Sequence, residues 1–236
     1  MARKTRYQQI ADTIMEKISN GELQPGDALP SELDLKDQYG VSRDTIRQAI
    51  KSLVEEDILE RIQGSGTYVK KPKVDYQVYQ LLSFSESVAD KSLPLQTDVL
   101  TFELTTADEV LAEIFKLEEG ARLYHIERLR HIEGRPAVFE ESWMPVDLFP
   151  EMNMEILSCS KYEYVEHTKG WPIDFADEEI SAKKPTAKIA KLLNIQEDNP
   201  IICKVTSTML KDGVTFDYGV CYFHPNEYKF VSRAYR

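Results

Sequence analysis

Apolar Tyr7, Ile10, Ala11, Ile14 and Ile18 recur every three or four positions, predicting an amphipathic helix that Gly21 ends. A Pro25-Gly26 turn follows. Ser31 is placed to cap a short helix running to about Gln38, with Asp34 three residues on as a capping-box-like partner. Tyr39-Gly40-Val41 reads as a tight turn, and Ser42 caps another helix whose apolar stripe is Ile46, Ala49, Ile50 and Leu53. Beyond it, ILERIQ and TYVKK alternate as short strands joined by Gly64-Ser65-Gly66. Helix, helix, tight turn, helix and hairpin within about 70 residues is the order of a winged helix-turn-helix.

Residues 71–80 are polar, lack a clear period and read as a linker. The remainder, 81–236, carries a faint internal repeat. Ala107–Pro145 and Ala187–Pro225 each read as a short helix, an acidic turn, a strand, a glycine turn (Gly134, Gly213) and a second strand. Two such copies predict one antiparallel sheet with pseudo-twofold symmetry. Between them, SKYEYVEHTKG predicts a helix capped near Ser158 or Ser160 and ended by Gly170. The expected class is therefore α+β, a small winged helix (1–70) joined to a larger antiparallel sheet with helices.

Composition changes this picture little. Hydrophobic residues make up 42% and charged residues 29%, as in an ordinary globular protein, and no apolar stretch is long enough for a membrane helix. Cys159, Cys203 and Cys221 form no CxxC pair, and with no signal-peptide pattern this favours reduced thiols and a cytoplasmic location. The net charge of −11 argues at first against nucleic acid. Residues 1–72, however, hold 11 basic and 12 acidic side chains, so the excess lies almost wholly in the larger part.

Facing Ile46, Ala49, Ile50 and Leu53 inward turns Arg43, Asp44, Arg47, Gln48 and Lys51 outward. Arginine and glutamine are side chains that pair with guanine and adenine edges in a major groove. Hydroxyls at Ser31, Ser42 and Thr45 add phosphate donors, and the glycine tip between Arg61 and Lys70 is slim enough to enter a minor groove. The stretch from Tyr7 to Val69, above all LPSE, VSRDTIRQAI and GSGTYV, resembles the DNA-binding domain of the GntR family of bacterial transcription regulators. The resemblance implies base contacts from Arg43, Thr45 and Arg47, backbone support from Ser31, Glu32 and Ser42, and groove contact by Gly66. Many members carry arginine after LPSE, where this chain has Leu33.

In YHIERLRHI, alternation places Tyr124, Ile126, Arg128, Arg130 and Ile132 on one face and His125, Glu127, Leu129 and His131 on the other. Two arginines on an apolar face are costly without an anion, and the pair is a natural fork for phosphate or carboxylate. The open alternative is an internal salt bridge with one of the chain's many carboxylates. Ser160 and Tyr162 add hydroxyls, while Glu140 and Asp217 could accept from ligand hydroxyls or stand exposed. LLSFSES, IERLRHIEG, VFEESWMP, SKYEYVEHTKG, DFADEEI and EYKFVSRAYR are similar to the effector-binding UTRA domain of the HutC subfamily, whose fold is shared with chorismate lyase. By that analogy Ser85, Arg128, Arg130, Ser160 and Tyr162 would hold a phosphate and Glu140 and Asp217 a sugar, with a slight leaning towards trehalose operon repressors.

The expectation is a homodimeric repressor of a sugar operon that binds a palindromic double-stranded operator and a small anionic effector. A sugar phosphate is favoured over a carboxylate such as urocanate. No cofactor or metal is expected. His125, His131, His167 and His224 lack metal-ligand spacing, and no GxSxG, Cys–His or Walker-type stretch supports an enzyme. An enzyme using the lyase-like domain and a ligand-free architectural DNA binder stand as the alternatives.

Overall fold

A computed structural model describes residues 4–56, 58–70, 73–89 and 93–234, and the chain divides into two compact units, Met1–Pro72 and Lys73–Arg236. The first unit holds helices α1 (Arg6–Ser19), α2 (Glu32–Tyr39) and α3 (Arg43–Glu55), then the antiparallel hairpin β1 (Leu59–Ile62) and β2 (Gly66–Val69). Each helix begins where a side chain can take up an orphaned amide. Thr5 and Gln8 form a capping box on α1, Ser31 Oγ accepts from Asp34 N at 3.2 Å, and Ser42 Oγ accepts from Thr45 N at 3.2 Å. Gly40 ends α2 at φ 61°, a left-handed turn that most side chains resist, and so sets the sharp angle into α3. Ile10, Ile14, Leu35, Ile46, Ala49, Ile50, Leu53, Leu59 and Val69 form the core. Burying each large aliphatic contributes roughly 1.5–3 kcal/mol, which a unit this small needs.

The stretch expected to be a structureless linker is partly ordered. Residues 71 and 72 lie outside the described residues, but Val74–Gln77 form β3, which pairs in parallel with β10 (Tyr228–Val231) near the chain's end. A short helix α4 (Phe84–Ala89) follows. The alternation of buried Val74 and Tyr76 with exposed Asp75 and Gln77 is a two-residue signal, too short to register as a strand in the sequence.

The second unit is built on one antiparallel sheet in the order β4-β5-β6-β9-β8-β7, comprising β4 (Leu95–Thr106), β5 (Arg122–Ile132), β6 (Arg135–Pro145), β7 (Ile173–Lys183), β8 (Ile201–Leu210) and β9 (Thr215–Phe223). The order is symmetric about the β6–β9 seam. The repeat is thus longer than the sequence signal, since each copy starts one strand earlier: β4, α5 (Glu109–Phe115), β5, β6 against β7, α8 (Ala187–Leu193), β8, β9. Both helices end on a left-handed residue at the same place, Lys116 (φ 54°) and Asn194 (φ 55°).

The sheet is covered on both faces. Leu123, Leu129, Phe139 and Ile201 pack on one face with residues of α5 and α8. The opposite face meets α6 (Met154–Ser158), α7 (Lys161–Glu163) and a π-helical turn (Tyr164–Thr168) at one end, and β3, β10 and α4 at the other. Helix α7 is capped by Ser160, with Gly170 beyond the turn at φ 68°. Between those two covers lies a polar gap.

Candidate functional site

In the first unit, α3 presents Arg43, Asp44, Arg47 and Gln48 on its exposed face, as its stripe requires. Glu32 gathers three guanidinium groups: Arg43 Nε at 3.1 Å, Arg61 Nη2 at 3.2 Å and Arg47 Nη2 at 3.6 Å. It therefore aligns side chains from α3 and from the wing, a role that backbone support alone does not describe. Ser42 and Thr45 share a hydroxyl–hydroxyl hydrogen bond of 2.8 Å. Ser31, Glu32, Leu33, Arg43, Arg61 and Gly66 line an open depression of about 690 Å³, bringing most of the DNA-directed residues to one surface. Gly66 has φ 147°, a backbone state that favours glycine at the wing tip. Leu33, in the position where arginine was expected, is an exposed apolar side chain on that surface.

In the second unit, strand register builds the polar gap. Arg128 lies opposite Glu140 and Arg130 opposite Val138; on the next strands Cys221 faces Glu140, Lys204 faces Cys221 and Asp217 faces Thr208. One face of the sheet thus carries a band of charge and hydroxyls from β5 to β8. Its cavity, about 80 Å³, is lined by Arg128, Arg130, Glu140, Ser160, Tyr162 and Asp217 together with Tyr76, Phe84, Lys161, Lys204 and Thr206. Of the residues expected from the sequence, only Ser85 is not in the wall. Its neighbours Ser83 and Ser87 are, and Ser85 Oγ bonds Ser83 Oγ at 3.2 Å.

The arginine pair is engaged with an internal carboxylate. Arg128 Nη2 donates to both oxygens of Glu140 at 2.8 and 2.9 Å, and Arg130 donates through Nε at 3.0 Å and Nη2 at 2.8 Å to Oε2. Arg128 Nη1 donates to Leu157 O at 3.0 Å and Cys159 O at 3.1 Å, capping the C-terminal end of α6 from the sheet. Arg130 lies over the Phe84 ring, 4.9 Å from its centroid. Glu140 is thus a counter-ion in this state, not an exposed carboxylate. Burial opposes its charge, but Arg128, Lys161 and Arg130 prevail and hold its carboxyl well below the usual range. Burial and the adjacent Arg130 lower Arg128, whereas for Arg130 burial is outweighed by the surrounding groups together, Glu140 foremost through its charge and hydrogen bonds, and the pKa is raised.

Lys161 is the residue that sequence reasoning missed. It is 4% exposed, bonds Ser142 Oγ at 3.0 Å, reaches Glu140 Oε1 at 2.8 Å and pairs with Asp217. A lysine between Ser160 and Tyr162 reads in sequence as a solvated helix position; its burial follows from α7 folding over the sheet. Tyr162 OH bonds Thr208 Oγ1 at 2.9 Å, and Ser160 Oγ accepts from Glu163 N at 3.2 Å. Lys204 was missed too, although it alternates in phase with Thr206 and Thr208. It gives the second half of the sheet a buried cation, paired with Glu178 and accepted by Tyr76 OH at 2.6 Å. Tyr76 OH also donates to Glu178, at 2.9 and 3.1 Å. Burial of Cys221 in the same wall pushes its thiol up to about 12, so it stays protonated.

On the other face, His125, Glu127 and Glu141 offer donor atoms within 4.8 Å of one another. Each already has partners: His125 bonds Glu103 and Glu141 at 3.0 Å each, and Glu127 is held by Lys188 and Thr101.

Comparison with known proteins resolves the class. Residues 6–69 match the family described as bacterial regulatory proteins, gntR family, and residues 91–229 match the UTRA domain. The chain belongs to the GntR family. Its UTRA domain places it in the HutC subfamily, and the chain is 43% identical over 236 residues to the mannosyl-D-glycerate transport/metabolism system repressor MngR of Escherichia coli (strain K12), covering 100% of this chain and 98% of the relative. It is 32% identical over 225 residues to the HTH-type transcriptional repressor NagR of Bacillus subtilis (strain 168), covering 95% and 93%. The crystal structure of YydK from Bacillus subtilis subsp. subtilis str. 168 superposes with TM-score 0.61 at 26% identity, covering 98% of this chain and 100% of the other. This GntR-family protein is a DNA-binding transcription regulator, and the enzyme alternative gives way to that class. No helix among the described residues is long and apolar enough to cross a membrane.

Proposed function

We propose that this regulator is a cytoplasmic, homodimeric repressor of a carbohydrate-utilisation operon, released from a palindromic operator by a small anionic carbohydrate. The observation that carries the reading is the composition of the cavity in the second unit: four buried cations (Arg128, Arg130, Lys161 and Lys204, the last paired with Glu178) beside two carboxylates (Glu140, Asp217) and several hydroxyls. Cations suit an anionic group, and buried carboxylates suit the hydroxyls of a polyol. A sugar phosphate is the first candidate. The surplus of one positive charge also suits a sugar carboxylate, and the relative named for mannosyl-D-glycerate points to that chemistry.

A cavity of about 80 Å³ has room for two or three waters, far below the ~300 Å³ or more of ligand pockets. It must therefore open. The sheet wall is fixed by long ladders, whereas the strap 74–89 joins it through four β3–β10 pairs, the buried side chains of Val74, Tyr76 and Val88, the Tyr76 hydroxyl and Phe84 on Arg130. The strap follows directly on the DNA-binding unit in the chain, so its displacement is the event through which occupancy reaches α3. Linkage then requires the operator-bound form to bind effector less tightly.

The test is a thermal-shift panel on the full chain, pairing common sugars with their 6-phosphates and including mannosyl-D-glycerate and urocanate. At about 100 times its dissociation constant a ligand adds roughly 2.7 kcal/mol. Stabilisation by an anionic sugar and not by its uncharged parent supports the reading; a flat panel rejects it.

A further inference from the structure

The donors that an effector anion needs are occupied by the protein's own carboxylate. Arg128 Nη2 and the Arg130 Nε and Nη2 groups all end on Glu140, and Lys161 meets the same carboxylate on Oε1. An anion entering the fork would sit within a few ångströms of Glu140, where like charges in a dry site repel strongly. Glu140 has somewhere to go, because Lys161 already holds Oε1 and is itself anchored to Asp217 and Ser142. Further buried polar atoms on residues of this wall, among them Arg128 Nε and Thr206 Oγ1, have no hydrogen-bond partner among the described residues. They are additional capacity for a ligand.

We propose that Glu140 is an exchangeable counter-ion: the effector's anionic group takes Arg128 and Arg130, and Glu140 stays in the cavity on Lys161. The freed carboxylate oxygen then accepts from a hydroxyl of the same effector. Lys161 is thereby the specificity-determining residue, since it supplies the counter-charge that Glu140 and Asp217 share in a loaded site. This rests on the reading of the cavity as an anionic-effector site and adds a consequence. A bare anion must displace Glu140 with no hydroxyl to reward the exchange, so the site rejects inorganic phosphate in favour of a hydroxylated anion. The charge balance permits it: with Lys204 and Glu178 neutralising each other, the cavity is one unit positive when free, and lies within one unit of neutrality with either a monoanion or a dianion.

Inorganic phosphate is the probe, titrated into the full chain at constant ionic strength held with sodium chloride. Binding is read calorimetrically and by the tryptophan fluorescence melt. Glu140→Gln removes the competing charge and is expected to bind phosphate at least tenfold more tightly than the unaltered chain. Such a gain has the opposite sign to structural damage. Glu140→Asp withdraws the carboxylate by one methylene while keeping its charge and is expected to gain about threefold; it decides the matter if the glutamine variant shows no cooperative melt. Lys161→Met strands Glu140 on the arginines and is expected to weaken phosphate binding at least tenfold. Phosphate binding that is equal or weaker in the Glu140 variants overturns the exchange while leaving the anion site standing. Failure of every variant, and of the unaltered chain, to bind phosphate at 100-millimolar order overturns both, because an arginine fork freed of Glu140 must take an anion.

Discussion

Arg128 and Arg130 share the Glu140 carboxylate, yet they should not be equivalent for stability. Arg130→Met removes two charge-assisted hydrogen bonds and the Phe84 contact, while Arg128 and Lys161 still neutralise Glu140. A loss of about 1.5–3 kcal/mol is expected. Arg128→Met removes a comparable pair of bonds and also strips the only side-chain donor that Leu157 O and Cys159 O have among the described residues at the end of α6. The first of these carbonyls belongs to a residue with no exposed surface, so water replaces the guanidinium poorly. That adds roughly 1–3 kcal/mol and brings the total to about 2.5–6 kcal/mol, a range that spans the roughly 3–5 kcal/mol cost of breaking a buried charge pair. Trp143 and Trp171 are the chain's two tryptophans and both lie in the second unit, so their fluorescence follows that unit alone. In a thermal melt Arg128→Met should fall below Arg130→Met by roughly 3–9 °C. Equal midpoints, or Arg130→Met as the weaker variant, would refute the anchoring of α6 by Arg128.

Arg47→Ala should cost roughly 1–3 kcal/mol on the selected operator and much less on scrambled DNA, measured by gel shift; an equal loss on both would make Arg47 a phosphate contact. His125 faces Glu103 on Nδ1 and Glu141 on Nε2, with Glu127 beside it; these carboxylates outweigh burial and raise its pKa above the ordinary 6.5. Its stabilisation is therefore complete below about pH 6.5 and lost as pH rises through the elevated value, so the tryptophan melt should drop between pH 6 and 8.5 in the unaltered chain and much less in His125→Gln. Tyr76→Phe keeps the ring against Phe230 and loses only the bonds to Glu178 and Lys204. With the strap's hold loosened, it should weaken operator binding without ligand and reduce the ligand-induced change at least threefold. An unaltered change would acquit the strap.

The winged helix was legible because its signals are local. Ser31 and Ser42 cap the helices they precede, Gly40 sits one residue beyond α2, and the stripe from Ile46 to Leu53 fixes which side Arg47 faces. In the second unit, alternation placed Arg128 and Arg130 on one face, and the repeat anticipated a symmetric sheet. Their partner was less legible. That Glu140 faces Arg128 depends on the β5–β6 register, with its shift between Arg130 and His131. Lys161 and Tyr76 come from segments that cross the sheet, and β3 exists only because Tyr228–Val231, more than 150 residues later, offers it a ladder. Non-local pairing of this kind leaves little trace in periodicity, which is why residues 71–80 read as a linker and Lys161 as a surface lysine.

The central claim is that one cavity in the second unit governs DNA binding by the first. The most direct test is fluorescence anisotropy of a selected operator with the full chain, with and without the anionic sugar that most raises the melt, in the unaltered protein and in Arg130→Met. The account predicts that the sugar weakens operator binding at least tenfold in the unaltered chain, that Arg130→Met binds the operator normally without it, and that the variant no longer responds. An operator affinity that ignores every anion able to stabilise the second unit would contradict the account.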